Sequence, residues 1–250
     1  QMVASAAIPS DRGPLGLKVQ GAGKHYFVDK APFTTAEQLA AARRSVAATG
    51  RKWAVCYSER VQNESAVFAG QLIQEGAIGH VVQVIGLGPH RLQANTRPDW
   101  FFEKERYGGI LIDIGSHQIE QFLYYAGAKD AEIVASQVGN VAHPEYPELE
   151  DFGDATLKAD NGAVNYFRVD WFTPDGLSTW GDGRTFILGT DAYIELRKYV
   201  DVARDTIGDH CYLVDGHGEQ HFSVAGNVGF PYFGELILDC LQGTETAMPQ

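Results

Sequence analysis

The sequence predicts an α/β protein in two parts: a parallel sheet with crossover helices, then an α+β domain with a mostly antiparallel, open-faced sheet. Three observations lead there. At 250 residues the chain exceeds the usual size of one domain. Residues 1–60 run strand–helix–strand–helix–strand, the rhythm of parallel strands joined by crossovers. From Gly79 onward, alternating or apolar strands separated by turn residues take over. The boundary falls after residue 60, giving parts 1–60 and 61–250.

The first element, MVASAAI, is a strand already under way at Met2. Pro9-Ser10-Asp11 then reads as a turn, and Gly13 to Gly21 as a short helix-like segment. HYFVD, residues 25–29, is a second strand. A helix follows from about Thr35 to Thr49: Thr34 or Thr35 can cap it, Glu37 suits its first turn, and Gly50 stops it. KWAVCY, residues 52–57, makes a third strand, and a helix near residues 63–75 closes at Gly76. HVVQVIGLG is a longer strand that leads through a polar loop, residues 89–99, to Trp100. The strands AEIVASQVGNV, DATLKA, AVNYFRVDWF, RTFILGT and AYIELRKYV follow, with turns at Asp160-Asn161-Gly162 and Pro174-Asp175-Gly176. A last helix near Pro231 to Leu241 ends at Gly243.

Hydrophobic residues make up 44% of the chain, ample for a packed core, so a disordered chain is excluded. The formal net charge of −12, with no run of Lys and Arg, argues against nucleic acid and anionic membranes as partners. No apolar run approaches the roughly 20 residues needed to span a bilayer. The three scattered cysteines suggest no disulfide framework and fit a reducing compartment, the cytoplasm. Cys211, His217 and His221 have a spacing that invites zinc. Gly216 and Gly218 instead suit a surface hairpin, and no metal site is expected.

The chemistry concentrates in YGGILIDIGSHQIEQFLYY, residues 107–125. Asp113 and His117 stand four residues apart in an apolar helical run, a spacing that puts both on one helix face. Burying such a pair is costly unless the groups are hydrogen-bonded or functional. Gly108 and Gly109 allow a close approach just before the helix.

In combination, GKHYFVDKAP, GAIGHVVQV, GGILIDIGSHQIE, NGAV and ILGTDAYIEL resemble the glucose–fructose oxidoreductase / inositol dehydrogenase (Gfo/Idh/MocA) family. The resemblance covers nearly the whole chain. It implies a Rossmann domain, here partial, followed by the open-faced domain, and nicotinamide-dependent oxidation of sugars or polyols with NAD or NADP. The family's Glu-Lys-Pro motif stands here as Asp29-Lys30-Ala31-Pro32. Its Gly-Gly…Asp-x-x-x-His helix matches at Gly108, Gly109, Asp113 and His117. The segment AAIPSDRG resembles the one passing under the nicotinamide ribose, which places Ile8 and Pro9 with Asp29, Lys30 and Pro32 on the cofactor side. The Gly-rich turn G-x-G-x-x-G is missing, since Gly21-Ala22-Gly23 precedes a strand and cannot cradle a pyrophosphate at a helix start. The simplest account is a piece of a longer enzyme, with an exposed strand edge, that binds dinucleotide poorly and is inactive alone.

Within this resemblance Lys30, Asp113 and His117 are the catalytic candidates. His117 is the first choice for general base, because imidazole titrates closest to working pH. Asp113 would orient it or bind the substrate hydroxyl, and Lys30, at a strand's C-terminal end, would stabilise a developing alkoxide. Arg97, Trp100, Arg168, Trp171 and His210 are candidates for the sugar pocket, the tryptophans being equally suited to a core. Redox-assisted glycoside cleavage and a non-catalytic ligand-sensing or assembly module are the alternatives. The second-domain sheet face needs a cover, and the resemblance implies a homo-dimer or homo-tetramer through it.

Overall fold

The computed structural model describes residues 1–204 and 207–248. Two sheets organise the chain. The first is parallel, in the order β1 (Met2–Ser5), β2 (His25–Asp29), β3 (Trp53–Cys56). Its crossovers are α1 (Pro9–Gly21) and α2 (Ala36–Thr49). Thr35 caps α2 by accepting from the Gln38 N–H at 3.2 Å, and Gly50 ends it at φ 62°, as the sequence indicates. The expected turn at Pro9-Ser10-Asp11 is instead the first turn of α1. Proline is suited to the first helical position, whose N–H has no helical partner, and Asp11 favours the positive helix start.

Alternation along the strands gives this sheet two packed faces. Tyr26, Val28, Trp53 and Val55 meet Val19 of α1 and Ala42 of α2. Ala54 on the opposite face packs with Tyr232 and Leu236 of the last helix, α7 (Pro231–Gln242), and Tyr232 donates to the Val55 carbonyl at 3.0 Å. The end of the chain therefore returns to the first sheet. β1 is an edge strand, bonded to β2 alone in this sheet.

After β3 the chain makes a one-turn helix that the sequence reading passed over, α3 (Ser58–Val61), then α4 (Glu64–Gln74), capped by Asn63. β4 (Val81–Pro89) enters the second sheet. Next come the short helix α5 (Lys104–Tyr107), a π-helical turn at Leu111–Gly115, and α6 (Ser116–Ala126). The remaining strands are β5 (Ala131–Gly139), β6 (Phe152–Ala159), β7 (Val164–Asp170), β8 (Arg184–Gly189), β9 (Tyr193–Arg197), β10 (His210–Asp215) and β11 (Gly218–Ser223). Their order is β11-β10-β9-β8-β4-β7-β6-β5. The β4–β7 pairing is parallel and the others antiparallel, which gives a mixed sheet of the expected kind.

The register fixes which face carries what. Gly86 pairs with Phe167 and Thr185, and Thr185 with Leu196, which pairs with Cys211. These residues share the face packed against α4 and α6, where the main core lies. Ile85, Tyr166, Arg168, Phe186, Glu195, Arg197 and Tyr212 occupy the opposite, open face. Cys211 and His221 consequently lie on different faces, because His221 pairs with Tyr212. The zinc arrangement that their spacing invites does not form. No helix among the described residues is long and apolar enough to cross a membrane.

Candidate active site

The C-terminal ends of three parallel strands form the edge where open α/β sheets receive ligands. β1 delivers Ile8 and Pro9 as the N-cap and first residue of α1. β2 delivers Asp29, Lys30 and then Pro32, and the Lys30–Ala31 peptide is cis. Buried Arg12, unremarked in the sequence, ties these ends together. Its guanidinium donates to the Ala7, Asp29, Lys30 and Ala31 carbonyls and lies 3.5 Å from the Asp29 carboxylate.

Lys30 reaches across to the helical segment. Its Nζ donates to Asp113 Oδ1 at 2.7 Å. The Lys30 side chain is 22% exposed and that of Asp113 11%, so the pair borders solvent. His117 lies deeper, at 2%. The helix carrying both residues is not regular: Asp113 belongs to the π turn and His117 to α6. Such widened turns are rare and recur at functional sites. Gly108 and Gly109 precede the turn at φ 95° and 91°, backbone that a side chain would strain. Glu150 holds this entry by accepting from the Ile110 N–H at 2.8 Å.

Burial would raise the Asp113 carboxyl, yet the charge and hydrogen bond of Lys30, together with His90 and His117, hold the group below its usual range. For His117 burial dominates and drives the imidazole well down. This corrects the expectation that His117 titrates near working pH. The ring is neutral at pH 7, the form that accepts a proton, and its basicity rests on the charges around it.

Those charges include residues the sequence reading missed. Glu59, on α3, is buried and accepts from Gln118 Nε2 at 2.8 Å. Lys198, following β9, is also buried, donating to Gln121 Oε1 at 2.6 Å and standing 3.5 Å from Glu59 Oε2. His90, following β4, brings Nε2 to 3.9 Å from Glu59 Oε1. The Tyr57 ring meets the His117 ring edge-on, centroids 5.9 Å apart. A signal existed for two of these: Glu59 and His90 each follow the C-terminal end of a strand. Lys198 also follows a strand, β9, but a lysine in that place is ordinarily solvated, so its position carried no signal.

The substrate-side candidates divide. Arg97 lies over the rings of Phe101 and Trp171, at 4.6 and 5.3 Å, and feels the Asp113 charge. Trp171 is buried, edge-on to His90 and Phe101, and Trp100 packs on the main core. Arg168 is on the open face of the sheet, bound to Asp170 at 3.0 Å, and is not brought to this cluster. His210 is not brought there either; its Nδ1 is 3.0 Å from His221 Nε2 on the open face.

The profile of the GFO/IDH/MocA C-terminal domain matches residues 67–195. The crystal structure of a "putative oxidoreductase" from Erwinia carotovora atroseptica SCRI1043 is 56% identical, with a TM-score of 0.97 over all of this chain and 74% of that one. A Thermotoga maritima protein of the same description is 24% identical, TM-score 0.84, over 99% of this chain and 72% of that one. Levoglucosan dehydrogenase in complex with NADH and levoglucosan shares the fold at 20% identity, TM-score 0.74, over 88% and 60% of the two chains. No curated protein matches the sequence. With the profile covering half of the chain and a 56% identical structure spanning all of it, the chain belongs to the GFO/IDH/MocA oxidoreductase family.

Proposed function

We propose that the protein containing this chain transfers a hydride between a sugar, glycoside or cyclic polyol and a nicotinamide dinucleotide. The observation that carries the reading is the 2.7 Å contact of Lys30 with Asp113, which joins the sheet's ligand edge to the turn preceding His117. Alcohol oxidation needs an acceptor for the hydroxyl proton and a cation near the oxygen that becomes a carbonyl. Neutral His117 meets the first need and Lys30 the second; Asp113 aims Lys30 and can bond a neighbouring hydroxyl. The nicotinamide, when bound, supplies the hydride acceptor.

The residues present suit that group on chemical grounds. Ile8 and Pro9 offer an apolar support without a donor at Pro9, and Lys30 is a partly exposed cation at the end of the neighbouring strand. A fold shared with an NADH- and levoglucosan-bound dehydrogenase supports the same reading. Arg97 borders the site and suits a polyol hydroxyl. The open sheet face displays Val82, Tyr166, Leu188 and Tyr193, which favours a homo-oligomer covering it.

The test uses the full-length protein, NAD and NADP, and a panel of sugars and polyols. His117→Ala lowers turnover on the order of 10²- to 10⁴-fold and leaves dinucleotide affinity within about twofold. Unchanged turnover in that variant, with cofactor affinity lost instead, overturns the assignment.

A further inference from the structure

Between β7 and β8 the chain runs without regular structure through residues 173–183, yet this stretch is tied down. Arg91, the residue after His90, holds it. Its Nη2 donates to the carbonyls of Pro174 (3.0 Å), Leu177 (2.6 Å) and Thr179 (2.9 Å), and its backbone N–H donates to the Trp180 carbonyl at 2.8 Å. The Asp175 carboxylate stands 3.6 Å from the same guanidinium. Two glycines let the stretch lie close to the sheet: a Cβ at Gly181 would collide with the Pro89 carbonyl, and one at Gly183 with the Tyr199 ring.

What this anchored stretch carries is the indole of Trp180. It leans on two rings, His90 at a centroid distance of 4.2 Å and Tyr199 at 4.4 Å, and the rest of it reaches solvent at 40% exposure. The support beneath is rigid. The His90 N–H donates to the Asp170 carbonyl at 2.8 Å, its carbonyl accepts from Thr173 at 3.1 Å, and Nδ1 donates to the Gly88 carbonyl at 3.1 Å. The same two rings tie Trp180 to the site. His90 Nε2 is 3.9 Å from Glu59, which is bonded to Gln118 next to His117. Tyr199 follows Lys198, the partner of Glu59. Trp171, edge-on to His90, lies under Arg97. The indole therefore stands where β4 and β9 end, on the rim of the cluster of Lys30, Asp113 and His117.

We propose that Trp180 is a specificity-determining residue of this site: its exposed indole surface is the platform on which the C–H face of a ring-shaped sugar or cyclic polyol lies. The proposal rests on the reading of the site as a sugar dehydrogenase and narrows its substrate to ring forms. A six-membered sugar ring gathers C–H groups on a flat side and hydroxyls around its rim. An aromatic surface takes that flat side out of water, while the rim hydroxyls remain for polar partners such as Arg97 and Asp113. An open-chain polyol presents no comparable flat side, so the indole separates the two classes. The anchoring by Arg91 adds to this, because a platform fixed before the ligand arrives loses little freedom on binding.

Steady-state kinetics and tryptophan fluorescence of the full-length protein test this together, with cyclic sugars and the matching open-chain alditols. Trp180→Leu keeps apolar bulk on His90 and Tyr199 but removes the aromatic surface. It is expected to raise KM for cyclic substrates on the order of 10-fold and to lower the cyclic-over-alditol preference in kcat/KM by about the same factor. The KM for the dinucleotide should stay within about twofold. Trp180→Phe is expected to restore the low KM and to abolish the sugar-induced change in tryptophan emission that wild type shows. An unchanged KM in Trp180→Leu, or an equal rise for cyclic and open-chain substrates, overturns the proposal. Should Trp180→Leu fail to fold, the emission readout decides: a sugar response that persists in Trp180→Phe overturns it as well. A protein that oxidises none of the sugars, yet shows the emission response that depends on Trp180, loses the dehydrogenase reading and keeps the platform.

Discussion

The two faces of the eight-stranded sheet use the same strands for opposite ends. Against α4 and α6 the sheet residues are mostly apolar or glycine, and the ionisable groups admitted there are few and buried: Glu59 is paired with Lys198, Asp113 with Lys30, and His117 lies among their charges. On the open face, Arg197 bonds Glu195 and Asp201, Arg168 bonds Asp170, and exposed Leu188 and Tyr193 lie among them. Arg197 and Lys198 are neighbours in sequence, yet one pairs near solvent and the other at 0% side-chain exposure. Alternation by one residue moves a cation from a screened to an unscreened setting, where pairing is obligatory.

The sharpest way to break this contrast is catalytic. In the full-length enzyme, Asp113→Asn on the covered side is expected to cut kcat on the order of 10²-fold or more. Arg168→Ala on the open face should stay within about twofold. A steady-state comparison that reversed the two would move the site to the other face.

Stability gives the next contrast. Lys198→Met strands the Glu59 carboxylate and is expected to cost about 3–5 kcal/mol in urea unfolding, whereas adding Glu59→Gln recovers most of the loss. Arg197→Met, nearer solvent, should cost roughly 1 kcal/mol. Equal losses for the two cations would remove the distinction drawn between the faces.

Asp201 sharpens the picture through pH. Burial would raise its carboxyl, but bonds from the Tyr212 hydroxyl (2.6 Å), the Ala203 N–H and Arg197 lower it to about 2. An unfolded aspartate titrates near about 3.9. A depressed folded value means that its stabilisation is full above that point and disappears as pH falls toward about 2. Asp201→Asn should therefore destabilise at pH 6 and make progressively less difference in denaturant midpoints between about pH 4 and 2. A gap independent of pH would exclude the ionised form as the source. The smallest effect is on the folded monomer: Leu188→Asp should change its stability within about 0.5 kcal/mol. The same change should reduce the oligomer mass in light scattering, and an unaltered assembly would leave the open face without its proposed cover.

Several elements could be read directly because their cause is local. Thr35 and Gly50 bracket α2 by capping chemistry, and β4 to β9 announce themselves by apolar strands between turns. The beginning of α1 is ambiguous in the sequence because proline and serine suit both a turn and a helix start, and only the packing of Val19 on the sheet separates them. Arg168, Trp171 and His210 looked alike as candidates. The register of β7 and β10 then sent the two polar ones to the open face, while Trp171 was drawn into the core.

By itself the sequence determined the order of the elements, the two-part α/β plan, and the stretch around Asp113 and His117. Each of these depends on periodicity, caps or a motif contained within a few residues. The tertiary structure alone decided the partners: Lys30 with Asp113 across 83 positions, and Lys198 with Glu59 across 139. Proton affinity depends on burial and on the nearest opposing charge, and both are set by chain segments that only folding brings within a few ångströms.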